Sequence, residues 1–350
     1  GAQGGGGGNW RGFLRPAIVC PLFAGLPQEQ QMAAFAPAPP GTRKFVLATN
    51  IAETSVTING VRFVVDTGFV KVRAYHASTG METLRQAPIS KAQATQRAGR
   101  AGREAPGVCY RLYREGDFLK LADTTVPEIQ RVNLAQVVLQ LKVIGVERVQ
   151  EFDYVSPPSV QALHKAMETL LLLGALDKSG GLTEDGRRMS ALPLDPLFAH
   201  LLIRSAEPRF ACPREAVAAA ACLAAENIFF TPSQEDGKRA AAEARQALAS
   251  FDGDIPTMVG IFQAFLQERS NPSWCHRNYV NRRSLLRAVE VRDQLGKIMR
   301  ERLQLDPNVS CGEERQQLLR CLTAGLFMNV AQRRPAPVAA AATGRGGKGV

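Results

Sequence analysis

The sequence predicts an α/β unit over residues 17–124 followed by a mostly α-helical remainder. Three observations predict it. Two strand-like runs, residues 44–49 and 61–66, are separated by a segment that turns and then breaks at Asn59-Gly60. A polar segment starting at Ser90 has the cap and spacing of a helix. Beyond Leu134, apolar residues recur at helical intervals.

The elements follow in order. Residues 1–16 are glycine-rich and read as disordered. Residues 44–49 (Lys-Phe-Val-Leu-Ala-Thr) have a strand's composition, and the chain then turns through residues 49–58. Small hydroxylated residues at the end of an α/β strand suit contacts to phosphate oxygens. Residues 61–66 (Val-Arg-Phe-Val-Val-Asp) read as a second buried strand, closed by Thr67-Gly68. Alternation over residues 69–89, around Ser78-Thr79-Gly80, predicts a β-hairpin.

Residues 96–103, Gln-Arg-Ala-Gly-Arg-Ala-Gly-Arg, are the most informative in the chain. A helix capped by Ser90 and running into this segment places Gln96, Arg100 and Arg103 at i, i+4 and i+7 on one stripe. Two arginines on a stripe repel weakly, and each glycine weakens a helix by about 1 kcal/mol. Packing favours neither. A multiply charged anion facing the stripe would justify both, because guanidinium grips phosphate in a fixed fork. Arg97 falls off the stripe and reads as structural or bound to a nearby carboxylate.

The remainder changes character. Leu134, Val137, Val138, Leu141 and Ile144 form one helical stripe, and residues 160–173 form another that ends at Gly174. A short Leu182-Thr183 segment and Gly186-Arg187-Arg188 follow. Pro213 suits a helix start before the apolar residues 216–230. Residues 238–249 read as a solvated helix. Residues 255–266 and 282–305 read as two more helices, and in the second Ala288, Val291, Leu295, Ile298 and Leu305 share a face. Residues 335–350 form a tail of low complexity.

The formal net charge of +11 fits a polyanionic partner, nucleic acid first. No apolar run approaches the length of a membrane span. The seven cysteines are scattered, without Cys-x-x-Cys pairs or zinc spacing, and read as reduced thiols of an intracellular protein. The four histidines form no cluster by spacing. Trp274 and Tyr279, near Arg277 and Arg282, either stack on bases or close a helical bundle, and bundle closure is the preferred reading.

The run Thr-Asn-Ile-Ala-Glu-Thr-Ser at 49–55 and the run at 96–103 resemble motifs V and VI of the DEAH-box RNA helicases. The resemblance extends from Ala17 to about Arg333, through Pro-Leu-Phe-Ala-Gly-Leu-Pro at 21–27, Thr-Val-Pro-Glu-Ile-Gln-Arg at 125–131 and Leu-Gly-Ala-Leu at 173–176. It implies a partial α/β RecA-like domain at 17–124, a winged-helix domain at 125–195, a helical ratchet-like domain at 196–317 and the start of an OB-fold at 318–334. In that family the hairpin at 69–89 acts as a wedge near the nucleic-acid strand; an ordinary surface hairpin is the alternative.

Residue roles follow from the same resemblance. Arg100 and Arg103 would be arginine fingers on the nucleotide's β/γ-phosphates, and Gln96 would orient the attacking water or touch the γ-phosphate. Phe35 would stack on adenine, with a core aromatic as the alternative. Ser55 and Thr57 would lie near the nucleotide, and Asn59 would reach the ribose where many relatives carry an acid. Thr49 and Asn50 would contact the RNA backbone, as would Lys71 and Arg73 on the hairpin unless those two form a solvated face. Glu53 would accept from local backbone amides. ATP with Mg²⁺ is the implied cofactor, its Mg²⁺ ligands expected on a first RecA-like domain. RNA is the implied partner, together with a glycine-rich activator of the G-patch type, in the nucleus or nucleolus.

The 350 residues contain no Gly-x-x-x-x-Gly-Lys-[Ser/Thr] loop and no Asp-Glu-Ala-His. The expectation is a fragment, or an incomplete gene model, of a longer helicase, without ATPase activity of its own. The other class is a non-catalytic RNA-binding or regulatory module.

Overall fold

The computed structural model describes residues 16–332, except 27, 55–56, 77–78, 226 and 233. The glycine-rich start, the tail at 335–350, Ser55 and Ser78 lie outside the described residues. The chain divides into two compact units, one of residues up to 138 with 148–168, the other of 139–147 with 169 onward.

The first unit is α/β. Strand β1 (Ala17–Leu22) pairs in parallel with β2 (Arg43–Ala48), the two joined through helix α1 (Gln28–Phe35). Alternation along β1 turns Cys20 and Leu22 inward, where they pack with Ala34 of α1. A single helical turn, α2 (Ile51–Thr54), follows β2. Strand β3 (Phe63–Asp66) then ends at the buried Asp66. The hairpin is present as β4 (Phe69–His76) and β5 (Met81–Pro88), antiparallel from Phe69↔Pro88 to His76↔Met81. Helix α3 (Lys91–Ala98) leads to β6 (Val108–Arg111), which pairs in parallel with β3, and to the short α4 (Glu115–Leu119).

The strand at 61–66 departs from the expected burial. Phe63 is 66% exposed and Val65 63%, and their register partners Val108 and Tyr110 are exposed with them. Val19, Phe45 and Leu47 repeat this on β1 and β2. A parallel sheet ordinarily carries cover on both faces. Here the inward residues meet α1 and α3, and the outward row is open among the described residues.

Two helices cross the division, α5 (Ala135–Val143) and α6 (Val160–Leu172). Leu134, Val138 and Leu141 are buried as their spacing requires, but Ile144 lies beyond the helix and is exposed. Gly174 ends α6 at φ +73°, a left-handed position that glycine takes without strain. In the second unit Leu176 and Leu182 form an antiparallel bridge, and Thr183 caps α7 (Glu184–Ser190).

Helices α8 (Pro196–Ser205), α9 (Pro213–Ala224), α10 (Glu235–Leu248), α11 (Asp254–Gln267), α12 (Pro272–Arg277), α13 (Arg282–Leu303) and α14 (Arg315–Gly325) complete this unit. Alanines on α9 let α11 and α13 approach closely, so that Ala218, Ala219 and Cys222 pack with Phe262, Phe265 and Leu285. The α9 helix stops at Ala224, short of the apolar run that suggested it. Trp274 is buried in this core, as bundle closure requires. Helix α10 buries only Ala241, matching its reading as a solvated helix. Helix α14 packs on α8 through Leu318, Cys321 and Leu322 around Leu201.

Candidate nucleotide and RNA site

The site grows from the two ends of α3. Ser90 caps it in a reciprocal box: its Oγ accepts from Gln93 N at 3.1 Å, and Gln93 Oε1 accepts from Ser90 N at 3.1 Å. The helix then stops at Ala98, before Gly99 and Gly102. Arg100 N bonds Arg97 O at 3.1 Å and Ala101 N bonds Ala98 O at 3.1 Å, a tightened last turn. This corrects the single stripe: Gln96 is helical, Arg100 lies in the turn, and Arg103 lies beyond it. The physical reason is the pair Gly99 and Gly102, whose helix cost no packing repays.

The turn is nonetheless held in place. Arg100 donates to the Glu53 carbonyl, and Arg103 donates to the Thr57 hydroxyl. Glu104 Oε2 accepts from Gly60 N at 2.8 Å. Gly107 admits the return of the chain, because a Cβ there would meet the Ala101 carbonyl at 2.2 Å. The described residues of 49–60 and of 96–107 are therefore joined in one assembly.

Arg97 is the anchor beneath it. Its Nε lies 3.1 Å from Glu53 Oε2, its Nη1 lies 2.8 Å from Asp66 Oδ1, and its Nη2 donates to the Phe69 carbonyl at 3.1 Å. Asp66 also accepts from Gly68 N at 3.0 Å and from the Tyr113 hydroxyl at 3.0 Å. The carboxylate reading of Arg97 is correct. Glu53, expected to serve backbone amides, instead turns its buried carboxylate to Arg97. A one-turn helix leaves that side chain facing the end of α3.

The electrostatics differ between the arginines. Burial works against the charge on Arg97, but the bonds to Asp66 and Glu53 outweigh it and raise its pKa. Arg100 moves the other way: burial and the nearby Arg103 charge lower its pKa, against a smaller opposing pull from Glu53. Burial and Asp66 push the Tyr113 phenol up to about 12. Two neighbouring guanidiniums, one on the Glu53 carbonyl and one on the Thr57 hydroxyl, are suited to an anion.

The other predicted residues are placed as follows. Gln96, Thr49, Asn50, Thr57, Asn59 and Arg103 are exposed, and Arg100 is half-buried. Thr49 and Asn50 carry the carbonyls that start α2. Lys71 and Arg73 are exposed on one face of β4, opposite Gln86 and Leu84. The hairpin is steadied by Arg131, whose carbonyl accepts from Tyr75 N at 2.8 Å. Phe35 packs half-buried on Cys20, Leu22 and Ala34, the core alternative named for it. Asp66 and Tyr113 were not singled out from sequence; a lone acid ending a strand before Thr67-Gly68 was the only signal. Among the described residues, no three His, Cys, Asp or Glu side chains are grouped to hold a metal ion, and no helix is long and apolar enough to cross a membrane.

Three family models match the chain. These are the helicase conserved C-terminal domain at residues 12–105, the winged-helix helicase-associated domain at 166–194, and the ratchet-like helicase-associated domain at 195–258. A probable ATP-dependent RNA helicase of Homo sapiens, DHX35, is 42% identical over 92% of this chain and 45% of its own length. The Arabidopsis thaliana pre-mRNA-splicing factor ATP-dependent RNA helicase DEAH10 is 43% identical over 91% of the chain and 46% of its own. The Schizosaccharomyces pombe pre-mRNA-splicing factor ATP-dependent RNA helicase prp22 is 41% identical over 90% of the chain and 27% of its own. The chain thus spans less than half the length of these relatives. With the RecA-like α/β unit, the winged-helix match and the helical ratchet-like match, the chain belongs to the DEAH-box RNA helicase family and corresponds to its C-terminal region.

Proposed function

We propose that this chain supplies the phosphate-facing arginines and part of the RNA track of an ATP-dependent RNA helicase. The observation that carries the reading is the turn at 99–103, fastened to the 49–60 loop with Arg100 and Arg103 directed at neutral oxygens. Negative charge develops on a transferred phosphoryl group, and fixed cations stabilise it. Arg100 and Arg103 take that role, Gln96 orients the attacking water, and Thr57, Asn59 and Ser55 line the nucleotide side. Phe35 serves adenine only if its ring leaves the core packing it now has. Thr49, Asn50, Lys71 and Arg73 contact the RNA backbone.

ATP is the substrate, and it is held mainly by a separate lobe. The guanidinium donors fit a polyphosphate. The family resemblance assigns the Mg²⁺ ligands to that lobe. The splicing factors among the relatives support a nuclear setting and RNA or RNP remodelling as the task. A G-patch partner is a further proposal from the family resemblance.

For the chain alone we expect weak binding of single-stranded RNA that fades steeply with salt, and no ATP turnover above background. Fluorescence anisotropy with a labelled oligouridine across a salt series checks the first. The expected slope of log K against log salt is about −0.7 for each phosphate contact. A salt-insensitive affinity contradicts the backbone-contact reading. Turnover that vanished in Arg100→Ala would contradict the assignment of ATP to another lobe.

A further inference from the structure

Arg97 touches three separate pieces of the first unit with one planar group. Its Nε bonds Glu53, in the loop that carries Thr49, Asn50 and Thr57. Its Nη1 bonds Asp66 at the end of β3. Its Nη2 bonds the carbonyl of Phe69, the first residue of the hairpin. Arg97 itself is the last-turn residue of α3, three positions before Arg100.

A chain of polar groups extends this junction. Asp66 is buried and accepts from the Tyr113 hydroxyl and from Gly68 N as well as from Arg97. The Tyr113 ring lies close to Gly68, where a Cβ would lie 2.7 Å from it. Gly68 adopts φ +79°, so the bend between β3 and the hairpin depends on a residue without a side chain. The hairpin root, the RNA-side loop and the end of α3 therefore meet at one guanidinium, beside the separate bonds that Arg100, Arg103 and Glu104 make to the loop.

We propose that Arg97 is a positioning residue that sets the 49–57 loop and the root of the 69–88 hairpin in register with the arginine turn, braced by Tyr113 through Asp66. It touches neither RNA nor nucleotide. Its fork geometry matters, because lysine offers the same charge but cannot reach three acceptors in one plane. The inference rests on the RNA-binding reading of that loop and hairpin.

The test uses the whole 350-residue chain, with melting followed for each variant and binding read well below the transition. Oligouridine affinity is measured across a salt series for wild type, Arg97→Lys, Tyr113→Phe and Arg73→Ala. Arg97→Lys is expected to lose about ten-fold in affinity, the scale of one misplaced charge-assisted contact, with an unchanged salt slope. Tyr113→Phe is expected to lose less, in the same direction, again with the slope kept. Arg73→Ala is expected to flatten the slope by about 0.7, as removal of a phosphate contact does.

If Arg97→Lys flattens the slope as Arg73→Ala does, Arg97 is itself a phosphate contact and the proposal is overturned. If both Arg97→Lys and Tyr113→Phe melt earlier but bind as wild type does, the junction is only structural and the proposal is again overturned. If Arg73→Ala keeps the wild-type slope while Arg97→Lys still weakens binding, the hairpin contact fails and the positioning role stands through the loop alone. If wild type shows no salt-sensitive binding, the RNA reading itself has failed, and this inference falls with it.

Discussion

At the residue scale, Arg97 is worth more to the fold than its single charge suggests. It neutralises two buried carboxylates, Glu53 and Asp66, whose other partners cannot replace it. Removing one member of a buried ion network strands the others. Arg97→Ala should therefore cost about 3–5 kcal/mol, measurable by urea unfolding; a cost within the surface range would mean that the carboxylates find water. Tyr113 gives a prediction about pH. Its phenol titrates near 10 when unfolded and at about 12 in the folded protein. The folded state then binds the proton more tightly, so the stability gained from it is full below about pH 10 and is lost as pH rises through about 12. The melting advantage of wild type over Tyr113→Phe should shrink across that window. An advantage that grew with pH would have the sign wrong. Arg97's need for a carboxylate was legible in the sequence, because a charge off the putative phosphate stripe needs its own partner. Asp66 and Tyr113 were not, since they lie 31 positions before and 16 after the arginine, and Tyr113 reaches Asp66 across the pairing of β3 with β6.

At the scale of elements, α3 and the hairpin were readable because their signals are local. Ser90 caps the helix as expected, Gln93 completes a reciprocal box with it, and Ser90→Ala should lower stability by about 1 kcal/mol, checked by thermal melting. An unchanged melt would show the cap to be idle. The helix end was misplaced for a physical reason. A charge stripe through Arg103 presumed that an anion would pay for two glycines, whereas the chain ends the helix at Ala98 and holds Arg100 and Arg103 through the 49–60 loop. Gly68 shows the opposite use of glycine. Gly68→Ala would strain a left-handed backbone and drive into the Tyr113 ring, so a loss of about 1–3 kcal/mol is expected from the backbone alone.

At the scale of the whole molecule, the sequence distinguished an α/β part from a helical part but did not show which sheet face is open. Apolar alternation looks the same whether the outward row meets a helix or solvent. Val19, Phe45 and Leu47 on β1 and β2, and Phe63, Val65, Val108 and Tyr110 on β3 and β6, are large apolar side chains left exposed. Leu47→Thr and Val65→Thr in this chain should change unfolding free energy by no more than about 0.5 kcal/mol while reducing self-association, read by light scattering. A loss of several kcal/mol would mean that the row is covered. The same scale holds the functional claim, because an arginine turn acts only when a second lobe presents a polyphosphate to it. The direct measurement is ATP turnover by a chimera in which this chain replaces the matching region of the human relative. With RNA binding retained, Arg100→Ala and Arg103→Ala should each lower kcat by about 10³ or more. Turnover unchanged in both variants would contradict the account.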